Sequence, residues 1–548
     1  MSRFLLFVFI TFIGVTTING QNLQAEPPYQ IRDSVLYKIN PRRGSYTIRV
    51  RNQEQFDRIN DEISNALGAK YKDIKVIINK GVYHFSENHI NRNNEQYPGV
   101  SIKIKGKDVV ITSLNENTTK LLQENKRDDL IQADSLIEII DEKKQLCRIP
   151  YANSFDINEK SHLTKVQITQ WYLAPVFTVA KIDNNGIFFI SADINANSLV
   201  HNVNDDYKYL GKTPRFRLLD NRKDNSSTAS QFIKLNRCRF KELSIAGITF
   251  KDNKKGRALI EVESCSQEQF IINRCKFEEI NDRCGLFLNT DNVEVKRCSF
   301  CCTAGNELSF GGGCKNIKVI NNLFNECGTA IGNTFCVTCN EAEYYIANNT
   351  FVDFGYSAIG VGLWHGHQKR YPTQGVIEKN ELYFTPGYFA NCLKYTLMDG
   401  GAIYTWSQND GVSIRYNYIH DYNGAGDNRG ILCDDGASNV IIYGNIVLNI
   451  PNSYCIDLRC LKDHTDNLNN NSNNYLAENV VDGRIRFQGY ENENRHAKKG
   501  KNYILLRENG ISEVENEYDN LEVMEDDVIL NTPSGISLKR LMRKSSHF

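Results

Sequence analysis

Hydrophobic positions in this chain fall in short runs of β-branched and aromatic residues, split by Gly, Asn and Asp, with no sustained helical period. The clearest stretch runs from Met398 to Asn449 and holds one pattern twice. Gly401-Ala402-Ile403-Tyr404 is followed fourteen residues after the isoleucine by Asn417-Tyr418-Ile419. Gly430-Ile431-Leu432 is followed at the same distance by Asn445-Ile446-Val447, so both halves are displaced by 28 residues. A fixed period of this length marks a solenoid, in which each unit covers its apolar face only with its neighbours. With strand-like units the expected architecture is all-β, a parallel β-helix of stacked coils.

Alternation then predicts columns of side chains. If Ile403, Ile431 and Ile456 point inward, Tyr404, Leu432 and Asp457 point outward together, and Trp406, Asp434 and Arg459 form the next outward column. Thr405, Cys433 and Leu458 return to the interior. Gly360 and Gly362, one coil earlier, leave an open floor before Tyr404 and Trp406.

The same motif recurs at Cys275, Cys298, Asn322, Asn349, Asn380, Asn417, Asn445 and Asn479, in steps of 23, 24, 27, 31, 37, 28 and 34 residues. The lengthening coils place the extra residues in loops outside a core of constant width, where function concentrates. The asparagines are expected to form a structural ladder from coil to coil.

Upstream, 56–68 reads as a short helix ending on Gly, followed by strand pairs over 74–85 and 100–111; together, 21–111 form an N-terminal cap and the first coils. The repeat vanishes over 112–220, an expected inserted β-rich subdomain, and 221–230 is a polar linker. The main β-helix then spans 231–494. Residues 495–548 form a C-terminal cap or tail with a helical end at 536–543. Residues 1–20, a short basic start and an apolar run, read as a secretory signal peptide, which makes the mature protein exported, periplasmic or extracellular, with no membrane partner.

Lys plus Arg and Asp plus Glu are both 65, so no net field favours nucleic acid. Sixteen cysteines in an exported chain suggest disulfides, but several occupy repeat slots where a small buried thiol fits, and core thiols are the favoured reading. Cys336 and Cys339 have CxxC spacing; without a second pair this is weak evidence for zinc.

Two carboxylates are the minimum for glycosidic hydrolysis, one as acid and one as base or nucleophile. Asp399, Asp434 and Asp435 are the candidates, although Asp-Gly sequences are also ordinary turn formers. Tyr404, Trp406, His365, His420, Arg429, Asp457 and Arg459 are candidate substrate contacts. No metal or cofactor is required. In an alternative, Asp427, Asp434, Asp435 and Asp457 surround calcium in a polysaccharide lyase. A non-catalytic glycan-binding solenoid is a third reading.

The motifs Asp399-Gly-Gly-Ala-Ile-Tyr404, Ile414-Arg-Tyr-Asn-Tyr-Ile-His-Asp421 and Arg429-Gly-Ile-Leu-Cys-Asp-Asp-Gly436 resemble those of exported bacterial right-handed parallel β-helix repeat proteins. These are similar to glycoside hydrolase families containing β-xylosidases, xylanases and α-L-fucosidases. The resemblance implies a polysaccharide or oligosaccharide substrate, an inserted β-domain beside the cleft, and catalytic roles for Asp399 and for Asp434 or Asp435.

Overall fold

The computed structural model describes residues 31–32, 35–40, 44–85, 88–113, 131–150, 163–168, 176–183, 185–191, 204, 215–220, 231–251, 258–280, 283–303, 305–328, 334–362, 371–386, 400–422, 428–451, 453–459, 474–488, 497–499, 502–505 and 521–524. The expected signal peptide and the helical end at 536–543 lie outside them. Among the described residues no helix is long and apolar enough to cross a membrane.

The chain forms a right-handed parallel β-helix whose coils present three sheet faces. One coil shows the plan: Ser357–Gly362 lies on the first face, Gln374–Glu378 on the second and Glu381–Tyr383 on the third. In the next coil Gly401–Arg415 runs through the first two faces, and Tyr418–His420 takes the third. Each of these strands pairs in parallel with its counterpart in the next coil. The 28-residue shift is realised in the pairings Ile403↔Ile431, Tyr404↔Leu432, Thr405↔Cys433 and Trp406↔Asp434.

Two interior ladders fix this stacking. The rings of Phe250, Phe277, Phe300, Phe324 and Phe351 lie one above another, with centroids 5.2, 4.8, 4.6 and 4.7 Å apart. Asn322, Asn349, Asn380, Asn417, Asn445, Asn479 and Asn502 form the second. The backbone N–H and side-chain Nδ2 of Asn380 both donate to Oδ1 of Asn417, at 3.1 and 2.9 Å. Asn417 repeats this toward Asn445 and also donates from Nδ2 to the Ile377 carbonyl, 2.9 Å away. Each amide thus satisfies buried backbone groups at a turn that water does not reach. Cys275 and Cys298 fill the same slot higher up, where the thiol of Cys298 meets the Ile272 and Lys296 carbonyls. The thiols here are buried core groups: no disulfide links Cys275, Cys298, Cys314, Cys327, Cys336 or Cys339.

The N-terminal end is closed by helices Gln53–Asp57 and Ile59–Gly68, the first capped by the Asn52 side chain, which accepts from the Gln55 N–H at 3.0 Å. Phe56, Ile59, Ile63, Ala66 and Leu67 cover the otherwise open apolar cross-section. The insertion is a seven-stranded antiparallel sheet, its strands lying between Ile131 and Asp220, with its own core of Cys147, Ile149, Val166, Phe189 and Phe216. The solenoid passes over it without a gap, because Ile233↔Ile90 and Phe250↔Ile111 pair directly across the excursion.

Two stability predictions follow from these contacts. Asn417→Ala orphans two donors of Asn380, and at about 1–3 kcal/mol each it should lower stability by roughly 2–6 kcal/mol, read from the urea midpoint. His89, whose ring stacks on Phe56 at 4.0 Å, is buried, and burial lowers its pKa to about 4. As pH falls from about 6.5 toward 4, the unfolded chain takes up a proton that the folded chain refuses. Wild type should therefore lose stability relative to His89→Phe across that window, by up to roughly 3 kcal/mol at its acid end.

Candidate functional site

Tyr404, Trp406, Arg429, Asp434, Asp457 and Arg459 gather on the first face, where the strands of four coils lie side by side: Ser357–Gly362, the start of Gly401–Arg415, the start of Arg429–Tyr443, and Tyr454–Arg459. Strand pairing carries the outward column Gly360, Tyr404, Leu432 and Asp457 on to Arg486. Gly362, Trp406 and Asp434 form the column beside it.

Asp434 is held between the columns. The Tyr404 hydroxyl donates to its Oδ2 at 2.8 Å, and Arg459 Nη1 lies 3.9 Å from its Oδ1. The Tyr404 hydrogen bond orients the carboxylate, and the Arg459 guanidinium faces it at ion-pair distance. Trp406 shares an aromatic cluster with Phe335, Tyr356, Tyr404 and Leu432 that is separate from the solenoid interior. Trp406 is only 3% exposed and Asp434 likewise 3%, so the outward wall is a covered one.

The floor before Tyr404 and Trp406 is filled, not open as the glycines suggested. A Cβ at Gly360 would lie 2.4 Å from Cδ1 of Phe335, because that ring rests directly on the glycine. Gly362, at φ +136°, brings its Cα against the backbone of Trp406, where a Cβ would meet the carbonyl oxygen at 2.2 Å.

Open space lies on the N-terminal side of this cluster. A groove of about 370 Å³ runs along the first face, with Leu286, Ser309, Thr338, Gly311 and Asn340 among its lining residues. Arg283, Asn306 and Glu341 add polar groups, and Phe335 and Trp406 close the end nearest Asp434. Its volume is that of a small-ligand site.

Asp457 and Arg429 have a different place from that expected. Both are fully buried, and Arg429 Nε donates to Asp457 Oδ2 at 3.0 Å. Arg459 Nε reaches the same oxygen at 3.0 Å, while Arg486 contacts both oxygens, at 2.9 and 2.6 Å. Burial pushes the Asp457 carboxyl above the usual carboxylate range, against the pull of Arg486 and Arg429. Both oxygens of this buried carboxylate are engaged by guanidiniums, and it holds Arg459 and Arg486, the two partly exposed arginines. Arg486 also lies over the Tyr454 ring at 4.0 Å.

His420 is not brought to this face. It lies on the third face, stacked on Tyr418 and Tyr383, with Nδ1 2.7 Å from Asp421 and Nε2 3.6 Å from Glu381. Burial opposes its protonation, but Asp421 and Glu381 outweigh that and raise its pKa. His365, Asp399 and Asp427 lie outside the described residues; Asp435 is placed within Arg429–Tyr443, but its side chain is not described.

Sequence reasoning missed Arg486 and Phe335. Arg486 could have been found by carrying the column one coil past Asp457, where Ile456 pairs with Ile485. Phe335 begins the strand before Ser357–Gly362, and no spacing signals that its ring turns over Gly360.

No protein-family model matches the chain, and no curated protein matches it. In fold it is similar to a solved structure described as a glycoside hydrolase, with TM-score 0.49, 12% identity, and 82% of this chain and 92% of that chain covered. It is also similar to XylC in complex with xylose, with TM-score 0.39, 9% identity, and coverage of 86% and 83%. A third is the A-module of the mannuronan C-5 epimerase AlgE6 of Azotobacter vinelandii, with TM-score 0.33, 10% identity, and coverage of 87% and 94%. At these identities and TM-scores the likenesses assign no activity.

Replacing Asp457 by Asn strands buried guanidinium charge and should cost roughly 3–5 kcal/mol in chemical denaturation. Arg486→Met should cost distinctly less, since Arg429 and Arg459 still neutralise the carboxylate.

Proposed function

We propose that this chain is an exported glycoside hydrolase that binds a polysaccharide or oligosaccharide in the first-face groove. The observation that carries this reading is the position of Asp434. It pairs in register with Trp406 at the closed end of the groove and is oriented by Tyr404 and Arg459. Ser309, Thr338, Asn306 and Asn340 offer the donors and acceptors that sugar hydroxyls need.

In this proposal Asp434 is one of the two carboxylates and Asp399 or Asp435 the other. One carboxylic acid protonates the glycosidic oxygen as the bond breaks. The other carboxylate either attacks the anomeric carbon or activates the water that does so. Tyr404 and Arg459 position Asp434. The engagement of Asp457 with three arginines takes it out of the calcium set of the lyase reading.

The reading is tested by incubating the purified protein with a panel of polysaccharides and measuring reducing-end release with and without chelator. Release that is insensitive to chelator and gives no unsaturated product is expected, and Asp434→Asn should lower it by about 10²–10⁴-fold while glycan binding persists. Binding without any release of reducing ends would make the protein a glycan-binding solenoid, and calcium-dependent formation of unsaturated uronates would make it a lyase.

A further inference from the structure

Beneath the groove, where the third face turns into the first, the interior holds a polar cluster that the proposed hydrolysis does not use. Glu307 precedes the strand Leu308–Gly311, Cys336 lies in the strand Phe335–Asn340 of the next coil, and Cys327 follows Leu323–Asn325. A carboxylate oxygen and the two sulfurs lie within 4.8 Å of one another, and all three residues are buried.

The three groups interact chiefly with one another. Thr303 donates to Glu307 Oε1, but Oε2 is buried with no hydrogen-bond partner, and Glu307 is completely enclosed. The Cys327 thiol lies 3.6 Å from the carbonyls of Phe300 and Asn325 and also interacts with the thiol of Cys336. Burial pushes the Glu307 carboxyl up to about 8 and raises the Cys336 thiol well above its usual value, with Cys327 and Glu307 adding to the latter. A buried carboxyl with one oxygen facing no strong donor is disfavoured, as buried polar groups are generally. A cation would reverse that balance.

We infer that Glu307, Cys327 and Cys336 form an internal binding site for a thiophilic divalent cation of the zinc class. Two sulfurs and one carboxylate oxygen suit zinc far better than calcium or magnesium, which take oxygen ligands. At zinc–sulfur bonds of about 2.3 Å, two thiolates in a tetrahedral shell stand roughly 3.8 Å apart. Ligand atoms already within 4.8 Å therefore need to close by only about 1 Å, a side-chain adjustment. The Thr303 hydroxyl or a water would complete the shell. Because thiolate and carboxylate ligands bind a cation in their deprotonated forms, loading releases protons and binding strengthens with pH.

The site would tie together two coils that build the groove. Asn306 and Phe335 line it, and Asn306 Oδ1 accepts from the Phe335 N–H at 2.7 Å, one residue away from the proposed ligands on each side. The expected role is structural. It also explains why Cys336 and Cys339 do not act as a CxxC chelate: Cys336 joins Cys327 and Glu307, whereas Cys339 lies near Cys314.

The test uses the full chain, purified reduced and without chelator, with metal content measured and Co²⁺ substituted as a spectroscopic probe. One zinc per chain and a thiolate-to-cobalt charge-transfer band are expected, with proton release on titration. Cys336→Ser and Glu307→Gln should lose stoichiometric binding, whereas Cys314→Ser, a buried thiol outside the cluster, should retain it. If the variants fail to fold, the wild-type cobalt spectrum still decides. A folded, reduced wild type that takes up no metal would overturn the inference. So would a Cys327–Cys336 disulfide in metal-free protein, or undiminished binding in both variants.

Discussion

A single repeated hydrogen bond, from one asparagine to the asparagine one coil further on, governs this molecule. Each Oδ1 in the run from Asn349 to Asn502 receives a backbone N–H and an Nδ2 from the coil above. An amide is the side chain that can accept and donate at once along the stacking direction. Since the ladder is buried, slipping one coil by a single residue would break those bonds and also turn every inward isoleucine toward solvent. Register is thus set twice over, by polar satisfaction at the turn and by apolar burial on the faces.

Register in turn places the chemistry. Asp434, Asp457 and Arg486 are separated by 23 and 29 residues in sequence, yet they occupy neighbouring strands of one face. Variation in coil length leaves this alignment untouched, because the strands of successive coils keep one register. The scaffold is rigid where it must align side chains and permissive where loops enter and leave.

The parts of this architecture legible in the sequence are those that depend on period alone. The inward isoleucines, the paired columns Tyr404/Leu432/Asp457 and Trp406/Asp434, the asparagine ladder and the N-terminal helix all follow from spacing and turn chemistry. Alternation tells which side of a strand a residue takes, but not what covers it there. Trp406 and Asp457 therefore read as exposed wall residues although the first is packed against Phe335 and the second is enclosed by arginines. His420 was legible as lying beside the ladder turn, and that turn belongs to another face. The grouping of Glu307 with Cys327 and Cys336 was not legible at all, since corner residues have no fixed period and meet only through the bend of the backbone.

The uninterrupted stack across the insertion carries a consequence for how the chain acquires its shape. Most neighbouring coils close a segment of some two to four dozen residues, but the pairing of Ile90 with Ile233 must span the entire excursion. If the intervening chain were loose, closing this seam would cost on the order of 1 kcal/mol more in entropy than closing an ordinary coil, with each doubling of length adding about 0.6 kcal/mol. The antiparallel sheet shortens that detour, since it pairs Ile131 near the start of the excursion with Phe216 near its end. The excursion's folding and the joining of the two solenoid stretches are thereby coupled, with the inserted unit acting as a clasp that draws both ends of the break together.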